Sequence, residues 1–390
     1  MSDKIRIGVV GLGTFVEIAH MPTYYDSPYK EFIEVGALCD LNGDRLKQQA
    51  DAWNVSARYT SLDEMLEREQ LDAVSVVTPD HTHTPLVLKC LAAGVDVLVE
   101  KPLAMKVREC NQMLQAARKH GRRLLTDFHK REDPAHQEGQ MRILRGDYGQ
   151  LQMGWAWMQD SIEVPAGGFF KTDLAAKSSP VWFLGIHYFD LIRFMTGLSP
   201  LSVRATGYKH VLPGMGIDTY DAVKADFIFA NGASISFCVS WNLPEATPVI
   251  SRQGLYLQYS EGDIEINCSD RGFRELTKDK YRHVNPMFTR TTLAGKRGYG
   301  HESIGEILLE YRLLKLGDRA QIYREQEAAR ASGVEGLYAT LMGEAVDKSL
   351  EQAQPQQNAA VRIGTEVVLN DILRAELGPD ADEFIINQQN

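Results

Sequence analysis

Hydrophobic positions in the first third of the chain come in near-continuous runs rather than in alternation. They are IRIGVV at Ile5–Val10, then FIEVGALCD, LDAVSVVTP, GVDVLVEKP and RRLLTDF. Such runs suit strands buried on both faces, hence a parallel sheet covered by crossover helices. The intervening stretches agree. In LVLKCLAAG, Leu86, Leu88, Leu91 and Ala92 fit a helical stripe, and another helix is predicted over Val107–His120. Strand and helix alternate five or six times before Phe128, which predicts a doubly wound Rossmann sheet with ligands at the carboxyl ends of its strands.

After His129 the pattern changes. A helix near residues 134–145 leads into LQMGWAWMQD, followed by LSVRATG, YDAVKADFIFA, ASISFCVSW, GLYLQYS and DIEINC. In YDAVKADFIFA, Val223, Ala225, Phe227 and Phe229 alternate with Lys224 and Asp226, the period-two mark of a sheet with one solvated face. Asn231-Gly232 between two such strands signals a hairpin. The fold class expected is therefore α/β: a Rossmann domain over residues 1–128, then an α+β domain over 129–390 with a large, open, mainly antiparallel sheet. Leu184, His187, Leu191 and Phe194 recur at helical spacing in a segment that Gly197 would end. LEQAQPQQNAA, around residue 354, reads as a loop between two C-terminal helices.

Composition narrows the partners. At 390 residues the chain suits two cores. Its formal charge of -10 argues against a general nucleic-acid binder, which needs clustered Lys and Arg. No segment approaches the ~18 apolar residues of a membrane span, and MSDKIRIGVV carries no signal-peptide pattern, so a cytoplasmic location is expected. Cys39, Cys90, Cys110, Cys238 and Cys268 lie far apart without a C-x-x-C pair; reduced, mostly buried thiols and no metal site are expected.

The first run breaks into Gly11 and Gly13, with Thr14 and Phe15 completing the turn. Such a turn lets backbone N–H groups at a helix N-terminus approach a pyrophosphate. The dinucleotide fingerprint wants a third small residue where this chain has Val16. Asp40, 27 positions after Gly13, stands where an acid would accept hydrogen bonds from adenosine ribose hydroxyls and repel a 2′-phosphate. NAD is expected, with NADP as the alternative because Arg45 follows within one turn. The plainer reading keeps Gly11 and Gly13 as a tight loop and Asp40 as the cap of a helix beginning near Asn42. Lys101, in VLVEKPLA, follows a buried strand at the end where ligands are expected.

GLGTFVEIAHMP, TPDHTH, AAGVDVLVEKPLA and LGIHYFDLIRFMTG, in that order and at this spacing, resemble the glucose–fructose oxidoreductase and inositol dehydrogenase superfamily, Gfo/Idh/MocA. GVEGLYATLMGEAVDKSL is similar to that family's C-terminal helix, so the likeness spans the chain. It implies an NAD(P)-dependent oxidoreductase acting on a CH–OH carbon of a sugar, sugar derivative or inositol, pairing into a homodimer or homotetramer through the C-terminal sheet. By the same resemblance Lys101 is a catalytic cation beside the nicotinamide, Pro102 often follows a cis peptide, and His187 is the catalytic histidine. Thr78, Pro79, His83, Glu100 and Lys101 join Gly11, Gly13, Thr14, Phe15 and Asp40 as cofactor contacts.

The family's aspartate four residues before the histidine is Phe183 here. Its aromatic ring would desolvate the imidazole, and Asp190 or a substrate hydroxyl would take over the orienting role. Lys171, with Asp173 and Lys177 in GGFFKTDLAAK, is a candidate substrate contact; Arg131 resembles a basic position after the last Rossmann strand. Two rival readings remain: a sugar-modifying enzyme that oxidises and re-reduces its substrate on bound NAD, and a non-catalytic dinucleotide-binding regulator.

Overall fold

The computed structural model describes residues 3–168, 175–317, 330–353 and 360–387. They fall into two units. The first gathers Met1–Ala104, Glu109–Asp133 and Met287–Leu337; the second gathers Met105–Arg108, Pro134–Pro286 and Tyr338–Asn390. The first unit thus takes in Met287–Leu337, which a single division after residue 128 assigns to the second domain.

In the first unit, β1 (Ile5–Val10), β2 (Ile33–Cys39), β3 (Arg58–Tyr59), β4 (Ala73–Val76), β5 (Asp96–Glu100) and β6 (Leu124–Asp127) lie in the order β6-β5-β4-β1-β2-β3. All these pairs are parallel, and a short antiparallel strand, Ala331–Ser332, closes the β6 edge. The apolar runs are the strands: Ile5, Ile7, Val9, Val74, Val97, Leu98 and Val99 have no exposed surface. The order reverses between β1 and β4, so the chain segments leaving those strands open the crevice that such sheets use for ligands.

Helix Tyr299–Lys315, from the returning segment, puts Ile304, Ile307, Leu308 and Tyr311 into the core cluster of Ile5, Ile7 and Val9. Tyr311 donates its hydroxyl to the Val97 carbonyl at 2.6 Å. Gly305 lets this helix approach closely, because a Cβ there would lie 2.3 Å from the Tyr29 ring.

In the second unit, β7 (Leu151–Ser161), β8 (Pro200–Tyr208), β9 (Ala222–Phe229), β10 (Ser234–Leu243), β11 (Ser251–Tyr259) and β12 (Asp263–Asn267) form a sheet in the order β12-β11-β7-β10-β9-β8, extended by Val361–Ile363. Every pair is antiparallel except β7 with β10. Asn231 and Gly232 turn β9 into β10: Gly232 has φ +85°, and Asn231 Oδ1 accepts from Ala233 N–H at 3.0 Å. Val223, Ala225 and Phe227 point inward, as their alternation predicts.

On the opposite face the register aligns Met153 and Trp155 of β7 with Ile228 of β9 and Tyr256 of β11. Trp155 stacks on Tyr256 with ring centroids 4.4 Å apart and remains 46% exposed, whereas Trp241 is a core residue. None of the five cysteines is in a disulfide, and Cys238 alone is half-buried rather than buried. No helix among the described residues is long and apolar enough to cross a membrane.

Candidate active site

The turn after β1 is built from backbone constraints. Gly11 has φ +84°, and a Cβ there would sit 2.3 Å from the Val77 carbonyl oxygen, so only glycine fits. At Gly13 nothing lies within 4 Å of the same position; the chain leaves open space there. Val16 is wholly buried and begins a π-helical turn, Val16–His20, ahead of helix Met21–Tyr25. The missing third glycine is therefore replaced by a core side chain. Thr14 is exposed and Phe15 half-buried beside the turn.

Asp40 is tied to this turn. Leu12 N–H donates to its Oδ2 and Asn42 N–H to its Oδ1, both at 2.8 Å. The N-cap of helix Gly43–Ala52 is Asn42, whose Oδ1 accepts from Arg45 N–H at 3.0 Å. Asp40 is thus not the helix cap: it joins the end of β2 to the glycine turn. Each carboxylate oxygen keeps a free lone pair for a further donor. The Arg45 guanidinium stands 3.8 Å away and is more than a third exposed, too loose to neutralise it.

The segments after β4 and β5 are braced by His83. One ring nitrogen lies 2.9 Å from the Thr78 carbonyl oxygen, the other 2.7 Å from that of Pro102. Burial lowers the His83 pKa, opposed by Asp80 and by the two carbonyls and assisted by Lys101. His83 has no exposed surface, so it acts behind the loops carrying Thr78–Pro79 and Lys101–Pro102. Lys101–Pro102 is a cis peptide, and Lys101 is half-buried at the carboxyl end of β5.

Behind Lys101 lies a polar cluster. Glu100 accepts from or donates to His20 Nε2 at 2.8 Å, His20 Nδ1 meets the Tyr24 hydroxyl at 2.9 Å, and that hydroxyl meets Ser75 Oγ at 2.8 Å. Burial pushes the Glu100 carboxyl up to about 7, opposed by the Lys101 ammonium, and pushes the His20 imidazole down to about 4. Asp127, ending β6 next to Glu100, is raised well above the usual carboxylate range by burial and by the Glu100 charge. Sequence reasoning passed over His20 and Asp127. The legible signal was that two neighbouring strands, DVLVE and LLTD, both end on an acid.

In the second unit His187 and Asp190 sit on helix Ile186–Thr196, which Gly197 ends with φ +69° and its N–H on the Arg193 carbonyl. Both are nearly fully buried, at 4% and 1% exposure. A π-helical turn, Val181–Gly185, precedes the helix, and the ring of Phe183 lies 5.8 Å from that of Trp241. Lys171 and Asp173 lie outside the described residues. Arg131 is buried on the turn His129–Glu132.

Comparison with known proteins bears on the same residues. A family model described as "Oxidoreductase family, NAD-binding Rossmann fold" matches residues 5–128, and the GFO/IDH/MocA C-terminal domain matches 136–270. D-glucoside 3-dehydrogenase of Escherichia coli (strain K12) is 27% identical over 211 residues, which cover 54% of this chain and 59% of that protein. This chain therefore spans about three-fifths of that relative's length. Myo-inositol 2-dehydrogenase of Thermotoga maritima is 26% identical over 89% of this chain and 97% of that protein. The structure of scyllo-inositol dehydrogenase from Lactobacillus casei, with bound NAD(H) and scyllo-inositol, superposes with a TM-score of 0.71 over 94% of this chain and 99% of that one, at 17% identity. That likeness is one of fold.

Proposed function

Because the chain belongs to the Gfo/Idh/MocA oxidoreductase family, with its NAD-binding Rossmann domain, we propose that it oxidises a secondary alcohol of a sugar, sugar derivative or inositol, or reduces the matching ketone. The observation that carries this reading is Lys101: a cation at the carboxyl end of β5, in the unit whose switch point bears the Gly11 turn. Bound NAD would accept the hydride from the carbinol carbon. Gly11, Gly13, Thr14 and Phe15 would hold its pyrophosphate, Asp40 its adenosine ribose, and Thr78 and Pro79 its nicotinamide half, with His83 fixing their loop. Lys101 stabilises the negative charge that develops on the substrate oxygen, and His187 takes the hydroxyl proton. With NAD bound, the proton would pass to the imidazole and the C–H electron pair to the cofactor as hydride, leaving a carbonyl.

Asp40 favours NAD over NADP, since its carboxylate repels a 2′-phosphate. Asp190, one turn beyond His187, is the proposed orienting residue; an unchanged pH–rate profile and rate in Asp190→Asn would remove it from the mechanism. The open sheet face with Met153, Trp155, Tyr256 and Ile228 supports pairing of two copies, which sedimentation of Trp155→Glu against the parent would test.

The decisive experiment incubates the protein with NAD or NADP and a panel of inositols and glycosides, following reduced-nicotinamide fluorescence. Net reduction that Lys101→Ala abolishes is the expected result. Product without net reduction would replace this reading with an internal redox cycle, and cofactor binding without product from any compound would leave a regulator.

A further inference from the structure

Glu100 and Asp127 are register partners on adjacent parallel strands, so their side chains leave the same face of the sheet side by side. One ligand-type atom from each, and one ring nitrogen of His20, lie within 4.8 Å of one another, and all three residues are buried. Glu100 has a partner in His20. Neither oxygen of Asp127, which has no exposed surface, has a hydrogen bond of good geometry, and the Ser303 hydroxyl is the donor that faces it. An ionised carboxylate so placed would lose its hydration with a single hydroxyl to offset the loss.

We propose that Asp127 is a positioning residue for Lys101: a permanently neutral carboxylic acid whose O–H serves the Glu100 carboxylate and so fixes the strand end from which Lys101 extends. This rests on the reading of Lys101 given above. Two like charges in one buried pocket do not both ionise; Glu100 has the Lys101 ammonium and the His20 ring beside it, Asp127 only the Ser303 hydroxyl, so Asp127 keeps the proton. Glu100 then carries the single negative charge, held from one side by Asp127 and from the other by His20, whose ring is fixed in turn by Tyr24 and Ser75. The groups facing the pair are His20 and Tyr24 from the first helical turns, Lys101 from its own strand end, Asp80 from the segment after β4, and Ser303 from helix Tyr299–Lys315.

A metal ion is the competing occupant, and the spacing argues against it. Two ligands at 2.0–2.1 Å from a tetrahedral zinc stand roughly 3.3 Å apart. The His20–Glu100 separation of 2.8 Å is that of a direct hydrogen bond.

Three variants test the proposal: Asp127→Asn, Asp127→Ala and Glu100→Gln. Asn is neutral and still donates, so Asp127→Asn should keep the parental kcat and pH–rate profile on whichever inositol or glycoside proves active. Asp127→Ala removes the donor. Its kcat should fall roughly tenfold with KM for NAD little changed, and the limb assigned to Glu100 should move to higher pH by about one unit. In infrared spectra the parent should show a protonated-carboxyl C=O band that persists above pH 7 and is absent from Asp127→Asn; Glu100→Gln should retain it. Asp127→Asn behaving like Asp127→Ala, no such band in the parent, or stoichiometric Zn2+ binding lost in Asp127→Asn would each overturn the proposal. The infrared measurement needs no substrate. It decides the proton's position even if Asp127→Ala fails to fold or no sugar is oxidised, the latter being a failure of the oxidoreductase reading alone.

Discussion

Replacing Asp40 separates its two duties. Its oxygens accept from Leu12 and Asn42 N–H at 2.8 Å each, and the first of these donors is buried. Hydrogen bonds to a charged acceptor contribute about 1.5–3 kcal/mol, and an orphaned buried N–H costs about 1–3 kcal/mol. Asp40→Ala should therefore lose about 3 kcal/mol, a large share of the ~5–15 kcal/mol that holds a typical domain together. Asp40→Asn can serve one N–H with its carbonyl oxygen but turns its own NH2 toward the other, so about half the loss is expected.

The functional effect has a different sign for the two cofactors. Loss of two ribose bonds should weaken NADH binding by roughly tenfold or more, while loss of the repelling charge should improve NADPH binding. Denaturant unfolding reads the first effect, and parallel fluorescence titrations with NADH and NADPH read the second. If Asp40→Asn unfolds at the parental midpoint, the bracing role is wrong. If stability falls but the NADH-to-NADPH preference stays fixed, Asp40 is a structural link only and the cofactor assignment fails.

The two glycines of the turn should respond oppositely. Gly11→Ala combines a strained φ of +84° with a Cβ 2.3 Å from the Val77 oxygen, so it should lose stability by about 3 kcal/mol or fail to fold, read by thermal unfolding. Gly13→Ala meets nothing within 4 Å and should melt like the parent yet bind NADH more weakly; parental affinity would show that the open space is not the cofactor's. His187→Asn should lower kcat by about 10²–10⁴ and leave NADH binding intact, as loss of a general base does. Asp347, which accepts from Trp182 Nε1 at 2.8 Å, is raised by burial from 3.8 to about 6. Its folded pKa exceeds its unfolded one, so the folded form holds the extra proton and parental stability falls as pH rises through that window. Asp347→Asn should therefore gain on the parent from about pH 4 to about pH 6 and hold a constant advantage above, by up to about 3 kcal/mol, as pH-dependent unfolding midpoints would record.

What was legible follows from how local each signal is. A run such as DVLVE announces a strand buried on both faces because its own residues carry that information, and Asn231-Gly232 and Gly197 announce a turn and a helix end for the same reason. Helix Tyr299–Lys315 is different. Its apolar positions say that it is buried, but not that Ile304, Ile307 and Leu308 pack on β1, some three hundred residues earlier in the chain. The sequence expectation of a uniform second domain from residue 129 onward had no local feature with which to detect that return.

The candidate site divides along the same line, and the division has a physical cause. Lys101 and the glycine turn stand out because each lies in a short contiguous motif, EKP and GLG, that its own residues announce. Asp127 does not stand out, since an acid that ends a strand looks like any polar residue meeting solvent. Only its neighbours distinguish it: with Glu100 beside it in register and helix Tyr299–Lys315 packed among the same strands, water is excluded and the carboxyl must keep its proton. The charge state of Glu100 beside Lys101 is then set by a helix from the far end of the chain, so what the Lys101 side chain does depends on a contact that no motif around it contains.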